Sequence, residues 1–423
     1  MDYFDLNYRI SAFFLLIPPK ISILKIIYCI VAVPHFFLIC GSAFLEIGKL
    51  FMGGSGEFSS NILNLGISAL HLCATNRVSR WFLIKNEFEV ILANLRKINT
   101  DFSLFDYQSH QSGFKMDANE PENAIIKYKT TKLLETKRYC LGIFLTFLIN
   151  VALNISISYA INYGNPLYEK WNPLLNKTSV YRDYPYPLLY PFDTSVSDGH
   201  YLLGFFYQPY AFFCLMCAFF CIEYLCVGTI IHLTTHVNIL GYAFSYVDEN
   251  IDPMLDYSKV IMLKEKRIIK LSGELKEIYN CAKELNAVFS GQLLMQEFLM
   301  STVMCCCVYR VTTNISTAEI GYLSTMVAVC VAEMFTVSWF NQCFTLELFK
   351  IQQRIYELEW IDYPPKLRRV LLFLMCRVQK PFNFTMGFGF PLDVNVFLSM
   401  IKTSYSFYTL ITRSGSKFSN EDV

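Results

Sequence analysis

The chain has 423 residues, of which 54% are hydrophobic, 16% aromatic and 17% charged, with a net charge of +1. Soluble domains carry about 25% charged residues, so the balance argues against a soluble enzyme, a disordered chain and a collagen-like repeat. A near-neutral sequence also lacks the basic field that nucleic-acid binding needs. Fifteen cysteines are present, but they sit inside apolar runs, as Cys214, Cys217, Cys221 and Cys226 do, and as the triplet Cys305, Cys306 and Cys307 does. Buried free Cys packs as a small hydrophobe, so neither a disulfide framework nor a metal is expected, and no cofactor.

A helix that crosses a bilayer needs about 20 apolar residues. The first twenty residues combine early acidic groups with a short apolar run that ends at Pro18-Pro19. They read as an interfacial or re-entrant helix and not as a cleaved leader. Ile26–Leu45 is free of charge and forms the first expected span. Phe58–Asn76 is the second, stopped by Arg77 and Arg80, and Tyr139–Ile161 is the third. Tyr201–Ile231 follows, interrupted by Glu223; Leu285–Tyr309 carries Glu297 and Ile320–Leu346 carries Glu333. The last expected span is Leu392–Thr412, which holds Asp393 and Lys402. The expected fold is an all-α polytopic membrane protein, one domain over 1–423 with seven transmembrane helices.

Lys and Arg concentrate in cytoplasmic loops. A cytoplasmic N-terminus puts Arg9, Lys20 and Lys25 inside, with the runs Arg77–Arg138, Lys259–Lys283 and Lys350–Lys380. The outer segments then hold few basic residues, and the C-terminus is extracellular. This orientation exposes the sequon Asn176-Lys177-Thr178 as a glycosylation site, with Asn314-Ile315-Ser316 too close to the membrane. It is the inverse of a G-protein-coupled receptor, whose acidic-Arg-Tyr and Asn-Pro-x-x-Tyr signatures are also missing.

In the last span, Asn395, Ser399, Lys402, Ser406, Thr409 and Arg413 recur at intervals of four and three, on one helical face. Phe397, Met400, Ile401, Phe407, Tyr408 and Ile411 fall opposite. Lipid cannot satisfy a polar stripe, which must line a water-filled conduit or form a polar seam between helices of one subunit. Glu297 and Glu333 are expected to pair across spans five and six, with Glu319 at the outer boundary. His232 and His236 read as an inner helix end and not as metal ligands.

Tyr356-Glu357-Leu358-Glu359-Trp360, the basic Lys366-Leu367-Arg368-Arg369, Met375 to Pro381 and the run from Phe397 to Leu410 resemble the insect odorant receptor family. The outer loop with Trp171, Pro185, Tyr190-Pro191-Phe192-Asp193 and Gln208 is similar to the same family. The related gustatory receptors' Thr-Tyr-x5-Gln-Phe signature is missing from the last span. The resemblance implies a ligand-gated, non-selective cation channel in which a tuning subunit joins a common co-receptor in a heterotetramer, with a cytoplasmic anchor helix at 366–381 before the pore-lining last span. The short stretch from Thr234 to Glu284 fits a tuning subunit, since the co-receptor carries a much longer loop there.

On this resemblance the polar stripe lines the pore, with the gate carried to Leu410, its neighbour Ile411, and Arg413 at the mouth. Apolar constrictions gate by dewetting. Lys402 fits a cation pore poorly unless it snorkels toward the cytoplasm or the co-receptor supplies most of the ring. A volatile organic ligand needs an apolar, aromatic cavity with few polar anchors, expected between the outer halves of spans two to six. His71, Phe147, Asn150, Asn154, Tyr207, Phe212, Met304, Tyr322 and Met326 are the candidates. Asn150 and Asn154, four apart, are the expected polar anchor. The implied location is the plasma membrane of olfactory sensory neuron dendrites. Neither a phosphate loop, HExxH nor a Ser-His-Asp context supports an enzyme. The rival readings are a secondary transporter of an apolar or amphipathic solute, although no inverted repeat is evident, and a G-protein-coupled chemoreceptor.

Overall fold

The computed structural model describes residues 9, 11–19, 22–52, 58–98, 121–163, 168–172, 176–181, 184, 186, 188–194, 198–249, 251, 254–312, 315 and 317–421. Met1, Val423 and the sequon residue Asn314 lie outside them. Seven long helices appear among these residues: α1 Ser22–Met52, α2 Phe58–Lys97, α3 Pro121–Tyr163, α4 Asp198–Ser245, α5 Tyr257–Val311, α6 Thr317–Tyr356 and, after the short α7 Pro365–Val378, α8 Val394–Glu421. Strands are confined to two small antiparallel hairpins, β1 Tyr168–Asn172 with β2 Lys177–Tyr181 and β3 Thr385–Met386 with β4 Phe390–Pro391.

Burial follows hydropathy in the sense a membrane imposes. The axis of the bundle is α4: 89% of its most apolar stretch is buried, against 11% in α1 and 17% in α3. The outer faces of the peripheral helices carry exposed Ile30, Val33, Phe37, Ile149 and Leu153, an apolar surface that lipid satisfies without cost. Among the described residues, α1, α3, α4, α5 and α6 are long and apolar enough to cross a membrane. The expected spans Phe58–Asn76 and Leu392–Thr412 lie in the two remaining long helices. α2 continues past its apolar stretch through Arg77, Arg80, Lys85, Glu87 and Glu89, and packs along α5. α8 carries polar residues on one side.

Arg77 corrects the sequence reading. It does not end a span but is 1% exposed in the middle of α2. Likewise Thr234–Glu284 is not a loop: α4 runs to Ser245 and α5 begins at Tyr257, so most of the stretch is helix. His232 and His236 are therefore buried within α4 and do not mark its end.

Local chemistry explains several joints. Pro209 inside α4 has no N–H to give the Phe205 carbonyl one turn back, and the Tyr159 hydroxyl of α3 donates to that carbonyl at 3.0 Å. Residues 11–19 turn into the bundle, where Leu16 is fully buried and its carbonyl accepts the Trp81 indole N–H at 3.0 Å. Pro365 opens α7 at its first turn, where its missing N–H costs nothing.

The β3–β4 hairpin fixes where α8 begins. Asn286 of α5 donates to the Thr385 hydroxyl at 3.0 Å and accepts the Thr385 N–H at 2.8 Å. The Gly387 N–H donates to the Ser290 carbonyl at 2.9 Å. Gly387 has φ of +55°, and a Cβ there would collide with Leu294, so glycine is the residue this close approach requires.

Candidate functional site: an internal cavity and an outward polar stripe

Between α2, α3, α4, α5 and α6 lies a cavity with about 700 Å³ of unfilled space, its open mouth included. Its walls are mostly apolar: Ile67, Leu70, Val151, Ile155, Phe212, Met216, Phe219, Phe220, Met300, Met326, Val329 and Cys330. Five polar residues interrupt them, His71, Asn154, Tyr186, Tyr322 and Glu333.

Each polar side chain is held from behind. The His71 ring stacks on Phe212 with centroids 4.2 Å apart, and its Nδ1 lies 2.8 Å from the Glu46 carboxylate of α1. Asn154 donates to the Asn150 carbonyl at 3.0 Å and accepts from Thr325 at 3.1 Å. Tyr186 comes from the loop before α4 and meets Phe212 edge-on at 4.3 Å. The fully buried Gln208 amide pins its backbone, donating to the Tyr186 carbonyl at 2.7 Å and accepting its N–H at 3.3 Å. Burial pushes the Tyr186 phenol up to about 12, so it stays neutral and able to donate.

Of the nine expected ligand residues, His71, Asn154, Phe212, Tyr322 and Met326 line the cavity. Phe147 stands one layer behind, stacked on Phe220 at 4.7 Å. Asn150 faces a groove between α3 and α6 with Thr146 and Ala332, and donates to the Thr146 carbonyl at 2.9 Å. Tyr207 ties α4 to α1, donating to the Leu38 carbonyl at 2.7 Å, and Met304 is core packing within α5. Sequence reasoning missed Glu46, which ends a charge-free run and was left just outside the first span. Its place inside α1 was the available signal.

Beneath the cavity the carboxylates do not pair as expected. Glu333 accepts a hydrogen bond from Gln296, not from Glu297. Arg77 donates to Gln296 and forms an ion pair with Glu223, joining four helices at one buried point. Glu297 has no hydrogen-bond partner among the described residues. Two like charges gain nothing by meeting in an apolar interior, whereas one guanidinium can serve several acceptors. Glu319 instead pairs with Arg310 at 2.9 Å.

On α8 the stripe turns away from its own subunit. Asn395, Ser399, Lys402 and Ser406 are exposed and Thr409 half-buried. The packed side holds Phe397, edge-on to Phe335 at 5.6 Å, and Ser404, which donates to the Ser301 carbonyl at 3.4 Å. Ser399 and Ser406 donate to carbonyls one turn back. A seam within one subunit is therefore not what these residues form. Phe407 departs from its expected side: it is 52% exposed, because one residue step is about 100° and sets it at the border between the two faces. Leu410 is also exposed. The side chains of Ile411 and Arg413 lie outside the described residues.

Fold and cavity together define a polytopic helical membrane protein with a mostly apolar internal cavity. The family profile described as 7tm Odorant receptor matches residues 96–405, and the chain belongs to that family. Putative odorant receptor 92a of Drosophila melanogaster is 22% identical over 233 residues, which cover 54% of this chain and 54% of that receptor. Odorant receptor 10 of Aedes albopictus is 22% identical over 147 residues, covering 35% of this chain and 39% of that one. The chain thus spans about half the length of these relatives, or less. Among solved structures, the insect olfactory receptor OR5 from Machilis hrabei superposes with a TM-score of 0.73 at 12% identity, covering 97% of this chain and 99% of that one. Its complex with eugenol superposes equally well, at 13% identity and covering 98% and 100% of the two chains.

Proposed function

We propose that this chain is an odorant-gated, non-selective cation channel subunit, a tuning subunit that assembles with a common co-receptor into a heterotetramer. A volatile ligand enters the cavity beside His71 and Tyr186, and α8 lines the pore. The observation that carries this reading is the polar stripe of α8, exposed on the side opposite the helix's own packing contacts. Residues that lipid cannot satisfy, on an outward face, call for water or for equivalent helices around an axis. The mostly apolar cavity supports a small apolar ligand, as does the related receptor solved with eugenol.

The N-terminus is cytoplasmic in this reading, Asn176 is glycosylated, and the chain works in the plasma membrane of sensory dendrites without enzymatic chemistry. The stripe, the cavity and Leu410 near its outer end together provide binding, conduction and gate. The test is voltage-clamp recording of cells expressing the chain with and without the co-receptor. Ligand-evoked cation current that needs both chains is expected. Uptake of solute with no current would replace the channel by a carrier.

A further inference from the structure

Resting on the cavity as the ligand site, we infer that its floor selects ligands with a cationic ammonium head on an apolar body, and that Glu333 makes the selection. On α6, Tyr322, Met326, Cys330 and Glu333 fall at intervals of four, four and three, and all four reach the cavity. Glu333 is 1% exposed, yet it belongs to the cavity wall. One of its oxygens accepts from Gln296, and the other has no hydrogen-bond partner among the described residues.

Arg77 pairs with Glu223 and donates to Gln296 through a single nitrogen, Nη1. Glu297, beside Gln296 and equally buried, has no hydrogen-bond partner on either oxygen among the described residues. Three buried carboxyl groups thus stand near one guanidinium that pairs with Glu223 alone, an arrangement that a second positive charge would relieve. A metal ion is the poorer candidate: among the described residues no three His, Cys, Asp or Glu side chains converge to hold one. An ammonium needs a single carboxylate oxygen, which Glu333 leaves free, and its carbon body needs apolar walls. A neutral alcohol could donate one hydrogen bond to the same oxygen but brings no positive charge to the cluster.

Three compounds of equal heavy-atom count separate these cases: 2-phenylethylamine, 2-phenylethanol and propylbenzene. Each is titrated against the purified chain by thermal unfolding, and against cells carrying the chain with its co-receptor by current. The amine is expected to act at concentrations at least about tenfold below both neutral compounds, as a charge-assisted hydrogen bond implies. In Glu333→Gln the ratio should fall to near one. Glu297→Gln removes a carboxylate of the same cluster that does not line the cavity, and should keep the ratio.

No preference for the amine in the unaltered chain overturns the inference, whether or not Glu333→Gln folds. So does a preference that survives Glu333→Gln, or that Glu297→Gln abolishes equally. The two readings fail separately. Current evoked by propylbenzene without amine preference removes this inference alone. Amine binding to the purified chain without any current removes the channel alone.

Discussion

At the residue scale the molecule turns on Arg77. Its guanidinium is buried at the junction of α2, α4, α5 and α6, paired with Glu223 and donating to Gln296. Its carbon lies 5.3 Å from the Phe219 ring centroid, so the same side chain also supports the cavity wall. Removing one member of a buried pair leaves an uncompensated charge and costs about 3–5 kcal/mol. Arg77→Met should therefore lower the unfolding midpoint of the purified protein sharply and reduce its surface delivery. Adding Glu223→Gln should recover much of the loss, because the orphaned charge is gone. A double variant no more stable than the single one would show that Arg77 acts through packing alone.

At the scale of elements, α8 packs on one face and exposes its polar stripe on the other, the face proposed to conduct. Its inner face is fixed by Phe397 and Ser404, and its start by the hairpin clamped to α5 through Asn286 and Gly387. Cysteines placed at Ser399 and Ser406 should react quickly with a water-soluble thiol reagent in the assembled channel and change the current. Cysteines at Phe397 and Ser404 should react slowly. Of the native cysteines, Cys29 and Cys376 are exposed and must first be replaced so that the background is silent. At Leu410 a smaller side chain should raise ligand-free current, since it weakens an apolar constriction. Equal rates on both faces of α8, with no effect at Leu410, would move the pore elsewhere.

For the whole molecule, the distribution of Lys and Arg predicts the direction across the bilayer. Asn176 sits exposed at the turn between β1 and β2, with φ of +49°, a conformation Asn tolerates better than most residues. If that hairpin is extracellular, the chain should shift in mobility on treatment with an N-glycosidase, and Asn176→Gln should abolish the shift. An epitope at Met1 should then be reached only after permeabilisation, and one at Val423 on intact cells. Surface labelling of Met1 would reverse the whole arrangement.

The sequence by itself determined the class. Uninterrupted apolar runs of bilayer length dictate membrane helices, because the backbone must satisfy itself in lipid, and intervals of four and three put the polar residues of α8 on one face. These signals are local and read along a single helix. Tertiary structure alone decided what met across helices. Arg77 looked like the end of a span because a charge in lipid is costly, and only the bundle supplies Glu223 and Gln296 to receive it. Glu46 meets His71 across α1 and α2, and Tyr186 reaches Phe212 from a loop held by Gln208. Asn154 lines the cavity while Asn150, one turn away, faces an outer groove. One helix's periodicity gives the angle of a side chain about its axis; which neighbour stands there depends on how all seven long helices pack.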